Sequence, residues 1–481
     1  MFVIVPVSIY DTIFGNSSGA YGMRIRPLGD MEYTYWLMGH SCSTNFSVIA
    51  EITGELSDET IQAVFSSLQQ RYPLLNATIV PDKKYGAVFM AIHHEIPFEC
   101  TTVPDVESHC SRESSPMVSI MEKEKAWHFK DNSEVLMRCH IIRHTSQSAT
   151  MLFTFHHAIA DAVSALIFLE DFFSTAALVD DGKQPVLTPY TDNGPLELHI
   201  VGNYKGFKAF NRMNGHTLSL NYSRCLPGTI TVATDRKTWP DERHDRLIVS
   251  SLDAVQSAAV LSCARSHSCS VHSALCAAHL KAITTDYPDR KKLRTLLLSL
   301  VNLRNHPGFV SPPPSLNLMI SMVDSFITIY KHAAFWELAQ TIQKQTQTML
   351  QQGQHLTYFV QMCRIAHATS WLYDGTLRSS QRFVRRGQRT RPEAVTVSNI
   401  GNVSIPERYG SVTLNNVSFL MSLSTSGIFG SGINSFNGKL NWNFTYASPS
   451  LTGEHAERLA KNCRQFLLSA CGIKSLSINK I

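Results

Sequence analysis

Apolar positions along the chain follow two periods that alternate irregularly. Dense or alternating apolar runs at residues 46–52, 87–92, 136–142 and 150–155 predict strands. Ser57 stands where a helix cap is needed. It puts Ile61, Val64, Phe65 and Leu68 at i, i+3, i+4 and i+7, and Pro73 stops the helix. The 150–155 run delivers His156 and His157, after which 162–178 reads as an amphipathic helix. Strand 246–251, helices 253–265 and 271–284, and strand 293–303 follow. In the second of these helices Ala274, Ala277, Ala278 and Ala282 would let it lie close on a sheet. A proline-rich turn over 305–314 precedes strand 318–326. Helix 333–350 should turn Leu338, Ile342 and Met349 inward. Strands 393–400, 411–421 and 439–446 and a helix over 451–468, with Leu459, Cys463, Phe466 and Leu467 inward, complete the pattern. The class is α/β with mixed sheets in two halves, without the regular strand–helix rhythm of a Rossmann fold or a barrel.

Between residues 180 and 245 the texture changes. Pro185, Pro189, Pro195, Pro227 and Pro240, with Gly182, Gly194, Gly202 and Gly206, interrupt any long element. The expected division is an N-terminal unit over 1–185, an irregular excursion over 186–245 and a C-terminal unit over 246–481. The apolar start, residues 1–9, reads as an edge strand: it lacks a basic flank, and Asp11 interrupts it.

Composition narrows the classes. The 481 residues are 44% hydrophobic and 17% charged, which suits a globular chain with a large core. A net charge of +5 is small for this length, and no aromatic-plus-basic module points to nucleic acid. The one dense basic stretch, 378–391 with six arginines, reads as a solvated loop; a docking patch for an acidic partner is the alternative. No stretch approaches the roughly 20 apolar residues of a membrane span. Eleven scattered cysteines without a CxxC pair argue for reduced thiols and a cytoplasmic location rather than a disulfide framework or structural zinc.

The candidate chemistry sits at the end of the 150–155 strand, in Thr154-Phe155-His156-His157-Ala158-Ile159-Ala160-Asp161. Histidine exchanges protons near neutral pH, and a carboxylate nearby can fix the loop or hold a ring in one tautomer. Three readings compete. His157 could be a general base. His157 and Asp161 could bind a metal, but no HExxH or cysteine cluster supplies further ligands. Both histidines could be satisfied core residues. A second pair, His93-His94, has no carboxylate four residues on and reads as structural.

The His156-His157-x-x-x-Asp161 element resembles the signature of the CoA-dependent acyltransferase superfamily. That group includes chloramphenicol acetyltransferase, plant BAHD acyltransferases, peptide-synthetase condensation domains and the phthiocerol dimycocerosyl transferase type. Other segments resemble the family in order: Arg71-Tyr72-Pro73-Leu74-Leu75, Leu136-Met137-Arg138, Val271 to Ala278, Val301-Asn302-Leu303-Arg304 with Pro312-Pro313, and Ser398-Asn399-Ile400-Gly401. They span 26–468. Two departures stand out. Ala162 replaces the usual Gly after the motif Asp and is expected to narrow the tunnel. The BAHD DFGWG element is absent, and 426–430 does not match it. The resemblance is therefore closest to the alcohol acyltransferase and dimycocerosyl transferase branch.

The resemblance implies two chloramphenicol-acetyltransferase-like subdomains with a tunnel between them. It implies that His157 is the base that moves an acyl group from acyl-CoA or an acyl carrier protein to an alcohol or amine, with no covalent acyl-enzyme. It also implies no metal, no permanently bound cofactor and a monomer. His156 is expected to shape the loop. Asp161 is expected to hold it by pairing with an arginine, for which Arg304 and Arg71 are candidates. Asn399 and Ser398 are candidate oxyanion donors. Trp36, Phe429, Phe436 and Trp442 are candidates for the tunnel wall, with core as the alternative. A condensation domain forming amides and a non-catalytic binding member are the competing functions.

Overall fold

Two mixed sheets built from the apolar runs frame the molecule, whose computed structural model describes residues 22–103, 115–204, 206–373, 375–390, 394–423 and 427–473. The first sheet orders Arg408–Tyr409, Val412–Leu420, Phe46–Thr53, Ser148–Phe155, Met137–Thr145 and Phe98–Thr102. The second orders Ile320–Tyr330, Lys292–Asn302, Ala394–Asn402, Gly427–Phe436, Lys439–Ser448 and His244–Ile248, with Ser251–Leu252 also on Lys439–Ser448. A small third sheet joins Arg24–Pro27, Gly86–Ala91 and Ala77–Asp82. Val412–Leu420 comes from the late part of the sequence yet pairs antiparallel with Phe46–Thr53, so a strand is exchanged between the halves.

Local signals fix many boundaries. Ser57 accepts from the Thr60 amide at 3.1 Å, and Ile61, Val64, Phe65 and Leu68 are the buried face of helix Asp58–Arg71. Asp253 and Ser270 cap Ala254–Ser266 and Val271–Thr284 in the same way. The alanines of Val271–Thr284 are fully buried, as close packing on a sheet demands. Helix Ala162–Asp180 is long and apolar enough to cross a membrane by length and composition. Here its Phe168, Leu169, Phe172 and Phe173 are core residues, and Asp161 caps it.

Four expectations change. The excursion contains a 20-residue helix, Gly206–Cys225, that packs on helix Gln354–Ala368 through Ala209, Met213 and His216. Glycines at its start and middle, each costing about 1 kcal/mol in a helix, hid it. The basic stretch is helix Leu377–Thr390 rather than a loop: it buries Ser380 and Val384, and Arg378, Arg382 and Arg386 lie on its exposed side. Trp36, Phe429, Phe436 and Trp442 are core residues, and none lines the central cavity. Finally, Asp30–Gly39 is a helix that the pattern did not reveal. The 1–9 strand, Ser426 and Arg391 lie outside the described residues.

Candidate active site

Strand Ser148–Phe155 lies beside Phe46–Thr53 in the first sheet and ends at a turn that holds both histidines. The His156 amide bonds the Leu136 carbonyl at 2.9 Å, and the Ile159 amide closes the turn on the His156 carbonyl at 3.1 Å. The Ala158 amide donates to His156 Nδ1 at 3.0 Å. That ring is buried against Phe129, burial pushes its pKa down to about 3, and it does not line the cavity. His156 is therefore a turn-shaping group.

His157 faces the other way, onto a cavity of about 590 Å³. Its Nδ1 lies 2.8 Å from the Ala160 carbonyl oxygen. A carbonyl can only accept, so Nδ1 carries the proton and Nε2 keeps its lone pair. Tyr35 and Phe46 pack on the imidazole, with ring centroids at 4.5 and 4.8 Å. Burial lowers the His157 pKa; the Ala160 carbonyl and the Asp161 charge oppose that only in part. The ring is thus neutral at pH 7, with Nε2 unprotonated.

Asp161 is fully buried and saturated with donors. Its Oδ1 accepts from the Ser164 amide at 2.9 Å, capping the helix that starts at Ala162. Its Oδ2 accepts from Arg304 Nη1 at 2.8 Å and from the Met319 amide at 2.7 Å. The Asp161 amide bonds the Asn317 carbonyl at 3.1 Å. Burial would raise this carboxyl, but Arg304 and the two amides outweigh it and hold the pKa below the usual carboxylate value. The carboxylate therefore straps the histidine loop to the 303–319 segment of the second half.

Arg71 is not the partner of Asp161. Its Nε donates to Asp171 at 2.7 Å, because Asp171 lies ten residues further along the helix, roughly 15 Å from its start. Ser398 and Asn399 line the cavity at the end of strand Ala394–Asn402. The Asn399 side-chain oxygen accepts the Gly401 amide at 2.9 Å, leaving its NH₂ for other partners. Ala162 lines the wall beside His157 as the first residue of its helix. The decoy pair is at the surface, with His94 Nδ1 donating to the Ser133 carbonyl at 3.0 Å.

Several wall residues were not singled out in the sequence, among them Tyr35, Phe46, Cys363 and Phe383. Tyr35 matters most. Its hydroxyl makes no hydrogen bond to a described residue, and it lies near enough to Cys363 and Asp161 to feel both. Burial, Cys363 and Asp161 all raise its pKa, so it remains an O–H donor.

Elsewhere, Glu99, Glu124 and His140 bring three potential metal ligands together. Arg138 already balances that cluster, with Nε to Glu124 and Nη2 to Glu99, both at 2.7 Å.

Residues 31–210 match the condensation domain family, and residues 245–441 match the phthiocerol/phthiodiolone dimycocerosyl transferase C-terminus family. Among curated proteins, the chain is 25% identical over 144 residues to a mycosubtilin synthase polypeptide of Bacillus subtilis, covering 29% of this chain. It is 24% identical over 166 residues to vanchrobactin synthetase VabF of Vibrio anguillarum, covering 34% of this chain. The matched regions span only 5% and 6% of those proteins. Among solved structures, polyketide synthase associated protein 5 from Mycobacterium tuberculosis superposes with TM-score 0.63 at 15% identity, covering 94% of this chain and 99% of the other. Trichothecene 15-O-acetyltransferase from Fusarium sporotrichioides superposes with TM-score 0.67 at 12% identity, covering 95% and 97%. The first condensation domain of the calcium-dependent antibiotic synthetase gives TM-score 0.67 at 12% identity, again covering 95% and 97%. The first half thus matches the condensation domain family and the second the dimycocerosyl transferase C-terminus family, and the whole chain has the fold shared by condensation domains and these acyltransferases.

Proposed function

We propose that this protein moves an acyl group from a thioester, acyl-CoA or an acyl carrier protein, to a hydroxyl of a lipid, polyketide or other secondary metabolite. The observation that carries the reading is His157: the Nδ1 bond to the Ala160 carbonyl leaves Nε2 as a lone pair on the cavity wall. Nε2 takes the acceptor proton as its oxygen attacks the thioester carbonyl, and the carbonyl π pair moves onto oxygen. Collapse expels the thiolate, which takes the proton back from Nε2. The products are an ester and a free thiol, with no group left on the protein. Asp161 positions the loop and moves no proton.

The oxyanion needs a donor. Tyr35, whose ring lies against His157, is better supported than Asn399 or Ser398 because of that contact. Tyr35→Phe keeps the ring packing and removes only the O–H. It is expected to lower kcat by roughly 10²-fold with little change in KM. Steady-state kinetics with an unchanged kcat would return the role to the strand-end residues or to a backbone amide.

The test of the function is free-thiol release from short and long acyl-CoA with a panel of alcohols and amines. Release that needs an alcohol supports the reading. Release only with amines favours amide formation, a second reading supported by the condensation-domain match. No turnover with any donor, including a carrier-bound thioester, favours a non-catalytic binding member. The reading requires no metal and no resident cofactor. The ten cysteines among the described residues are all free, which fits a reducing, cytoplasmic setting.

A further inference from the structure

Large apolar side chains are exposed together where helix Gln354–Ala368 gives way to helix Leu377–Thr390. Trp371 is 80% exposed and Leu377 55%, and Leu372, Met362 and Ile365 are exposed beside them. Met362, Ile365 and Leu372 also line the central cavity, so they form part of its mouth. Around them stand Arg364, Arg378, Arg382 and Arg386, all exposed and without a hydrogen bond or ion pair among the described residues. Arg385 of the same helix is committed, to Asp241 at 2.8 and 2.7 Å.

The tip is held from beneath. Gly375 has φ +76°, and a Cβ there would come within 2.6 Å of the buried Trp36 ring, so the chain must turn back tightly at that point. His367 is bound on both ring nitrogens, by Asp30 and by the Tyr85 carbonyl, each at 2.9 Å. Trp371, Leu372 and Leu377 therefore project from a fixed base.

We propose that this edge docks on an anionic phospholipid membrane and that the cavity takes a lipid-borne chain directly from the bilayer. A lone exposed apolar residue needs no explanation, but a clustered apolar tip at a cavity mouth does. Trp at the tip suits the interfacial zone, and free guanidiniums around it suit anionic headgroups. Met362, Ile365 and Leu372 at the mouth continue into an interior with Tyr358, Phe359, Phe383 and Val384, so a chain leaving the bilayer would follow apolar walls on this side. Arg386 also borders the cavity, where it can hold the headgroup that stays behind. An acyl group delivered by an acidic carrier protein would instead arrive through water on a polar arm, which an apolar mouth does not favour. This inference does not depend on the acyl-transfer reading.

The experiment is flotation of the full chain with phosphatidylcholine vesicles, with and without about 30 mol% phosphatidylserine, at low and high salt. Binding is expected on the anionic vesicles only and should weaken with salt. Arg378→Glu/Arg382→Glu should reduce partitioning more than tenfold, since each arginine near such a surface is worth roughly fivefold. Trp371→Ser should reduce it as well, and at both salt concentrations. These side chains are exposed and lie outside the cavity wall, so melting temperatures should match the unaltered chain. No binding to anionic vesicles, or equal binding by all variants, overturns the proposal. So does saturable binding of an acidic acyl carrier protein at this edge while the vesicles remain unbound.

Discussion

His157→Ala is expected to abolish thiol release, lowering kcat by about 10²–10⁴-fold, with an unchanged melting temperature. The ring borders the cavity rather than filling the core, so its loss leaves room for solvent and no sealed void. The same geometry predicts the pH response. Burial lowers the His157 pKa, so the free base should persist below the usual histidine range. The acid limb of kcat/KM is therefore expected below about pH 6.5, and it should vanish in the alanine variant. A folded His157→Ala protein with near-normal turnover would remove this ring from the chemistry.

The second large effect is on stability. Arg304→Ala leaves the Asp161 carboxylate buried with two amide donors and no cation, and Asp161→Ala removes the helix cap and the strap together. Each is expected to cost roughly 3–5 kcal/mol. Because the folded-state pKa of Asp161 is depressed, its contribution is fully present above the unfolded value of about 3.9 and is lost as pH falls through the folded one. Denaturation of the unaltered chain should thus show an acid-sensitive component below about pH 4 that both variants lack. A positioning role further predicts that any fraction of either variant still folded at low temperature retains His157-dependent turnover. A stable Asp161→Ala protein with no turnover would instead place the carboxylate in the proton path.

The elements that the sequence revealed are those with one buried face and a clear cap, such as Asp58–Arg71 and Val271–Thr284. Those it hid have other physics. Asp30–Gly39 is buried on two sides, with Tyr33, Trp36 and Leu37 toward the main core and Met31, Tyr35 and Met38 toward a second cluster, so no polar face marks a period. Tyr35 went unnoticed for that reason. Leu377–Thr390 is masked by its arginines, although Ser380 and Val384, buried residues at i and i+4, carry the helical spacing. Within the site, the two histidines separate only in three dimensions. Their neighbours in sequence are alike, but one ring accepts an amide and the other donates to a carbonyl. Arg71 and Arg304 were equal candidates on paper; helix length alone separates them.

The exchanged strand Val412–Leu420 bears on how the chain reaches this state. Its partner Phe46–Thr53 is made early in synthesis and then waits for more than 350 residues before its outer edge is covered. Until then that edge offers unpaired amides and carbonyls beside Val48 and Ala50, a template for wrong partners. A fragment ending near residue 245 would keep that edge permanently open. The two halves are therefore not independent in folding: a strand made after residue 410 closes a sheet whose other long strands are complete by Phe155.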